Sequence, residues 1–280
     1  MRQYCDLHTH SDCSDGSDSP AALLGHADEV GLGAIALTDH NTAAGLPAFC
    51  AAAAAHPQLE AICGTELSVS FEGQELHLLA LLLPASSFDA VNAFTDDLRA
   101  RKNESIVDSA ARLRAAGYAV DPTRLVPPPG KTVNRSHLAA ELVRIGAVAD
   151  RREAFARFLS KKGPYCTEVE LPDFLTTIAR VHEWGGCAIL AHPLHGILPE
   201  RTEQIARRGA RAGLDGMETV YYGFDAAQTA FLRRLAAELA LAESGGSDYH
   251  GSVKPLAPLG GAHVPMSFLD ALKQRAARYR

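Results

Sequence analysis

The 280-residue sequence has no Cys-x-x-Cys pair, no internal repeat and no low-complexity tract beyond alanine-rich stretches. Its six cysteines, Cys5, Cys13, Cys50, Cys63, Cys166 and Cys187, are scattered. In a chain this long they read as small core residues in a reducing compartment. Apolar runs such as Leu78 to Leu83 and Ala236 to Ala242 are too short to span a bilayer. Met1 to Asp6 enters an apparent strand with no signal-peptide apolar region, so the expectation is a soluble cytoplasmic protein with no membrane partner. Basic charge is also lacking: 27 Lys and Arg face 33 Asp and Glu, for a net charge of -6. That speaks against a broad basic surface for long duplex nucleic acid. It leaves room for an anionic substrate, because bound cations reverse the local sign. The 47% of hydrophobic residues suffices for one sizeable core, or a core with a small inserted domain.

What is present first alternates between strand and helix. Gln3 to His8 is a short extended run. Ser19 is placed to N-cap a helix with Pro20 at its first position, ending at Gly31 or Gly33. Ala34 to Thr38 reads as a second strand, a helix follows Thr42 to about Ala52, and Glu60 to Gly64 reads as a third strand. This order favours a parallel sheet or barrel. Val69 to Phe71 and Glu75 to Leu83 then flank Glu72-Gly73-Gln74 as a hairpin. From Phe88 to Ser160 the pattern is mainly helical, interrupted by Pro-Pro-Pro-Gly at 127–130. Strands resume at Gly186 to Ala191, Gly216 to Val220 and Leu239 to Glu243. The expected organisation is a barrel domain from residues 1–85 and 168–280, with a small helical domain at 86–167 inserted over the substrate.

The positions of His, Asp and Glu carry the functional information. In barrels and open α/β sheets, reactive groups gather at the carboxyl ends of strands. His8 and His10 end the first strand, His40 follows the second and Glu66 the third. His77 lies in the hairpin, His192 follows the Ala-Ile-Leu strand, and Asp248 and His250 follow the last. Residues i and i+2 of an extended segment project to one side, so His8 and His10 form a two-imidazole grip, and Asp248 with His250 a mixed one. Asp15 adds a carboxylate from the loop after His10. Nitrogen with carboxylate oxygen suits Zn, Mn or Fe better than Ca or Mg. The set exceeds what one ion needs, and Glu66 is the candidate bridge between two or three ions.

Asp6-Leu7-His8-Thr9-His10, Ser14-Asp15-Gly16, Thr38-Asp39-His40, Gly64-Thr65-Glu66, His77, Ala191-His192-Pro193 and Gly246-Ser247-Asp248-Tyr249-His250 resemble the PHP (polymerase and histidinol phosphatase) family of metal-dependent phosphoesterases. They run in family order along nearly the whole chain. The resemblance implies an α/β fold, a distorted (β/α)7 barrel related to the TIM barrel, holding three divalent metal ions (Mn, Zn or Fe). On that pattern His8, His10, Glu66 and Asp248 hold the first metal, Asp15, His40 and His250 the second, and Glu66, His77 and His192 the third. The helical insertion resembles the branch that includes nucleotide and 3',5'-nucleotide bisphosphate phosphatases. Asn134-Arg135-Ser136-His137-Leu138-Ala139 and Lys161-Lys162-Gly163-Pro164-Tyr165 carry that likeness. Asp15 stands where histidinol phosphatases have histidine, which argues against histidinol phosphate.

The expected reaction is hydrolysis of the phosphate ester of a small phosphorylated nucleotide or sugar, releasing inorganic phosphate. A hydroxide bridging two metals would attack phosphorus, since metal binding brings the pKa of water from 15.7 to roughly 7. Asp248, His250 and His195 are the candidate acids for the leaving alkoxide. Arg135 suits bidentate phosphate binding; Ser136, Lys161 and Lys162 are further candidate phosphate contacts. Tyr221 and Tyr222 follow a strand and are placed either to stack on a base or to pack. The competing readings are a cyclic phosphodiesterase, an exonuclease on short RNA and a non-catalytic metal-binding module. Oligomeric state is not readable from the sequence.

Overall fold

The computed structural model describes residues 2–126, 133–160 and 163–280. The chain divides into two compact units, one formed by residues up to Ala93 together with Leu171–Arg280, the other by Phe94–Glu170.

The first unit is a nearly closed barrel. Its strands are β1 (Tyr4–Thr9), β2 (Ala34–Leu37), β3 (Glu60–Phe71), β4 (Gln74–Leu81), β5 (Cys187–Leu190), β6 (Gly216–Tyr221), β7 (Ala242–Gly246) and the short β8 (Val264–Pro265). They are ordered β7-β6-β5-β4-β3-β2-β1-β8. β1, β2 and β3 pair in parallel, as do β5, β6 and β7. The β3–β4 hairpin makes β4 antiparallel to both neighbours, a departure from the parallel order that the first three strands suggest. Its turn is the expected one: Glu72 and Gly73 take φ 50° and 77°, a left-handed pair that only a tight hairpin needs. Residues after β7 close the barrel, where Thr9 bridges Tyr249 and the His10 amide donates to the Tyr249 carbonyl at 2.9 Å.

Helices α1 (Pro20–Glu29) and α2 (Leu46–Ala53) connect the first strands, and α3 (Phe88–Ala115) follows the hairpin. The Ser19 hydroxyl accepts from the Ala22 amide at 3.2 Å, and Pro20 fills the first turn, as the sequence suggested. α4 (Arg135–Arg144) and α5 (Arg151–Arg157) belong to the second unit; α6 (Phe174–Glu183), α7 (Pro199–Arg211), α8 (Ala226–Glu238) and α9 (Met266–Ala276) belong to the barrel unit. A continuous apolar cluster joins strand residues Leu7, Ala36, Leu79 and Ile189 to Leu269 and Leu272 of α9. Among the described residues no helix is long and apolar enough to cross a membrane.

The last parallel strand differs from its sequence-based expectation, Leu239 to Glu243. Leu239 and Leu241 close α8 instead, the Leu241 amide donating to the Ala236 carbonyl at 2.9 Å and Ala240 turning at φ 53°. The strand therefore begins at Ala242 and ends on Gly245-Gly246, a pair that reads locally as a turn. The close packing of β7 explains it. A Cβ at Gly246 would lie 2.4 Å from the His8 Cβ, and one at Gly245 2.3 Å from the Val220 carbonyl oxygen. Asp6 fastens the same seam. Its fully buried carboxylate accepts from the Ser247 amide (2.9 Å), the Ser247 hydroxyl (2.5 Å) and the Gly260 amide (2.8 Å). Burial pushes this carboxyl above its ordinary value, and those donors pull it back only in part.

The second unit has its own core, in which Ile106 and Leu113 of α3 meet Val120, Leu138, Leu142 and Phe158. Asn134 and His137 form a reciprocal cap at the start of α4. Buried Glu141 accepts twice from Arg144 at 2.6 Å and once from the Asp121 amide at 2.9 Å. The Pro-Pro-Pro-Gly segment at 127–130 lies outside the described residues.

The substitution Gly246→Ala is expected to destabilise the protein by about 1–3 kcal/mol through overpacking against β1. A urea midpoint equal to that of the unsubstituted chain would show that β1 and β7 do not approach this closely.

Candidate metal centre

The barrel brings the flagged histidines and carboxylates together at one rim. Each reaches it for a local reason. β1 ends at His8-Thr9-His10, and both imidazoles are fully buried. His40 follows β2 and bridges to Glu66 of β3. His77 is a regular member of β4, the second strand of the hairpin, paired with Ser68. His192 and Asp248 each lie just past a strand, at φ 25° and 53°. Such left-handed residues are strained, and strain of this kind collects at functional sites.

Asp15 is placed by a neighbouring carboxylate. Asp39 accepts from the Ser11 amide (2.8 Å), the Ser11 hydroxyl (2.6 Å) and the Ser14 hydroxyl (2.5 Å), which folds the loop after β1. Gly16 is required there, since a Cβ would lie 2.3 Å from the His10 carbonyl oxygen. Within the Thr38-Asp39-His40 segment, Asp39 therefore shapes the loop and His40 faces the cluster.

Glu66 is the centre. Its Oε2 lies 3.2 Å from His8 Nε2, 3.2 Å from His10 Nε2 and 3.0 Å from His40 Nδ1. Its Oε1 lies 2.7 Å from His77 Nδ1 and 3.0 Å from His192 Nε2. Asp248 Oδ1 lies 3.2 Å from His10 Nε2, and Asp15 Oδ1 lies 3.2 Å from His250 Nε2. The His250 Nδ1 contacts the Asp248 carbonyl at 2.8 Å, leaving Nε2 for the cluster.

The charges are strongly coupled. Burial pushes the Glu66 carboxyl up, but His77, His8 and His40 outweigh it and hold the group well below its ordinary range. Burial likewise works against Asp248 and Asp15, and both are held well below range, Asp248 by His8 and Lys254 and Asp15 by His250 and His40. Desolvation pushes His10 and His77 down, yet the carboxylates raise each to about 9. His8 is raised well above its usual value by Glu66, Glu218 and Asp248 against the same burial. For His40 burial prevails and the value falls.

This arrangement fits divalent cations. His8 Nε2, both His10 nitrogens and Glu66 Oε2 are buried without a hydrogen-bond partner of good geometry. Buried polar atoms are otherwise nearly always satisfied, so these need explaining. Among the described residues, three groups bring their ligand atoms within 4.8 Å of one another: His10, Asp15, His40 and His250; His8, His10 and Glu66; and His40, Glu66 and His77. Imidazole with carboxylate is a donor set for Zn, Mn or Fe. His192 and Asp248 border these groups through Glu66 and His10.

Two residues around the site, Glu218 and Lys254, went unnoticed in the sequence. Glu218, fully buried on β6, contacts His8 Nδ1 at 3.0 Å. A lone acid in the run Gly216 to Val220 was its only signal. Lys254 donates to Asp248 Oδ2 and lies over the Tyr222 ring, 5.1 Å from its centroid. Nothing local marks it. Tyr221 was read as a stacking or packing residue; its ring is buried and its hydroxyl donates to Asp248 Oδ2 at 2.9 Å. His195 lies on the surface with its ring centroid 5.6 Å from that of His192, and partial desolvation, His192 and Lys254 push its pKa down.

The remaining flagged residues belong to the helical unit. Arg135 opens α4, donates to the Leu159 carbonyl at 3.4 Å and lies over the Phe155 ring. The Ser136 amide donates to the Asn134 side chain at 2.9 Å. Lys161 and Lys162 lie outside the described residues. Cys13 joins none of the metal-holding groups found among the described residues.

Comparison with known proteins places the site in a family. Residues 6–114 match the PHP domain model. The chain is 33% identical to a 5'-3' exoribonuclease of Haemophilus influenzae, over 89% of this chain and 91% of that protein. It is 32% identical to a 3',5'-nucleoside bisphosphate phosphatase of Chromobacterium violaceum, over 67% of this chain and 66% of that one. A solved structure from Bifidobacterium adolescentis, described as a metal-dependent phosphoesterase, superposes with a TM-score of 0.87 at 27% identity, covering 98% of this chain and 97% of its own. The chain belongs to the PHP family of metal-dependent phosphoesterases.

Proposed function

We propose that the protein hydrolyses the phosphate ester of a small phosphorylated nucleotide and releases inorganic phosphate. The observation that carries this reading is Glu66, one buried carboxylate within 3.2 Å of five imidazoles, with unsatisfied ligand atoms around it. His8, His10, Glu66 and Asp248 would hold one ion, Asp15, His40 and His250 a second, and Glu66, His77 and His192 a third, drawn from Mn, Zn or Fe. Bound there, such ions would acidify water towards a pKa of about 7 and offset charge on phosphate oxygens.

The chain's own residues then orient and exclude. Tyr221 and Lys254 take Asp248 Oδ2, which leaves Oδ1 facing His10 and His8. Lys254 also sets a positive charge at the rim, where an anionic substrate arrives. Of the three candidate acids, Asp248 and His250 are engaged within the cluster, so His195 at the surface is assigned to protonate the leaving oxygen. Arg135, Ser136, Lys161 and Lys162 of the insertion are assigned as phosphate contacts. The likeness to a 3',5'-nucleoside bisphosphate phosphatase supports a nucleoside carrying phosphates at both positions as the substrate.

A second reading has one specific support, the likeness to an exoribonuclease along 91% of that relative's length. Phosphoester attack is common to both. Short 5'-phosphorylated RNA, rather than long duplex, is the form compatible with a net charge of -6.

Four outcomes are expected. The manganese-loaded protein should release phosphate from 3',5'-bisphosphorylated nucleosides. Chelation or His8→Ala should abolish the release. Release indifferent to both would overturn the metal assignment, and mononucleotides appearing from short RNA would favour the second reading. Phosphorus NMR of the products also detects opening of a cyclic phosphate, and a metal-loaded protein inert on a broad phosphoester panel would point to a binding module. His195→Asn should lower kcat by about 100-fold with metal content unchanged; an unaltered kcat would remove His195 from the mechanism. Finally, His10 and His77 have folded pKa values of about 9, above the unfolded value of about 6.5. Their contribution to the stability of metal-free protein is fully present below the unfolded pKa and is lost as pH rises through about 9. The melting temperature of metal-free protein should fall across that window, and added metal should suppress the fall; a flat profile would contradict this charge coupling.

A further inference from the structure

The second oxygen of Glu218 does as much as the first. Glu218 Oε1 faces His8 Nδ1 at 3.0 Å. Glu218 Oε2 accepts from the backbone amide of His192 at 2.6 Å. The side chain is fully buried, so neither contact competes with bulk water. A carboxylate oxygen against Nδ1 keeps the ring proton on that nitrogen. With a metal bound, His8 Nε2, which lies 3.2 Å from Glu66 Oε2 and 3.6 Å from Asp248 Oδ1, would then present its lone pair to the cluster. The second contact acts on backbone. His192 sits at φ 25°, a conformation that surrounding structure must enforce. The hydrogen bond that its N–H donates to Glu218 holds the turn that aims His192 Nε2 at Glu66 Oε1, 3.0 Å away.

We infer that Glu218 is a positioning residue that couples two parts of the metal centre, orienting the His8 ring through one oxygen and the His192 turn through the other. The inference rests on the assignment of His8 and His192 to metal. The two belong to different proposed ions, so loss of Glu218 weakens the binding of both ions although Glu218 is a ligand of neither ion. Glutamine is the informative replacement, because it keeps the shape but offers one acceptor and one donor where glutamate offers two acceptors. Either the His192 amide or His8 Nδ1–H loses its partner. If the glutamine NH2 faces His8, the imidazole proton must shift to Nε2, the nitrogen aimed at the cluster.

The test compares manganese binding to the full-length unsubstituted protein, Glu218→Gln and His8→Ala, by titration calorimetry and elemental analysis, with circular dichroism as the check on folding. Glu218→Gln is expected to fold and to bind manganese about 10- to 100-fold more weakly, with fewer ions retained per chain. A folded Glu218→Gln protein with undiminished affinity and metal content would overturn the positioning role. Failure of the unsubstituted protein to bind manganese would instead sink the metal assignment itself. A second measurement needs no variant. Nitrogen NMR of the zinc-loaded, histidine-labelled protein should find the His8 proton on Nδ1, and a proton on Nε2 would refute the inference even if Glu218→Gln does not fold.

Discussion

A buried carboxylate surrounded by five imidazoles needs positive charge within a few ångströms. Glu66 is in that position, and the site around it follows from the requirement. Removing an ion from water costs several kcal/mol, roughly, unless it is paired or coordinated. Protons on His8, His10 and His77 supply the charge when no metal is bound, which is why their pKa values rise despite burial. Divalent cations supply it more fully, since each replaces protons and satisfies the atoms that hydrogen bonds leave unmet.

Holding so many ligands in one place requires a scaffold of other buried acids. Asp6 ties β1 to the segment after β7, Asp39 folds the loop that carries Asp15, and Glu218 orients His8 and the His192 turn. Asp6 and Asp39 accept hydrogen bonds from backbone and hydroxyl donors, and Glu218 divides its oxygens between a backbone amide and an imidazole, whereas Glu66, Asp15 and Asp248 face imidazoles of the cluster. Burial alone does not separate the two sets. The chemistry of the neighbours does, and the pKa directions follow it: Asp6 is raised, while Glu66, Asp15 and Asp248 are lowered. Glycines mark the same seam from the steric side, with Gly246 against His8 and Gly16 against the His10 carbonyl.

Local signals made much of the barrel legible. The Ser19-Pro20 start of α1 and the Glu72-Gly73 turn rest on interactions within a few residues. The last strand was placed too early because Leu239 to Leu241 is apolar enough for either element, while Gly245-Gly246 looks like a turn unless one knows that β1 lies against it. His77 was read on the second strand of the hairpin, and its pairing with Ser68 agrees with that reading.

The sequence by itself determined the family, the strand-end rhythm of histidine and carboxylate, and the chemistry of attack at phosphorus. The family and its phosphoester chemistry are carried by the resemblance of whole motifs, and the rhythm by residue type and periods of two within extended segments, which local geometry fixes. Only the tertiary structure decided which acids face imidazoles and which brace backbone, and that Tyr221, Lys254 and Glu218 stand beside the ligands. His8 and Glu218 are 210 residues apart, and their 3.0 Å contact exists only because β6 and β1 come together in one barrel. No pattern within either segment encodes that meeting, since it depends on closure of the whole sheet.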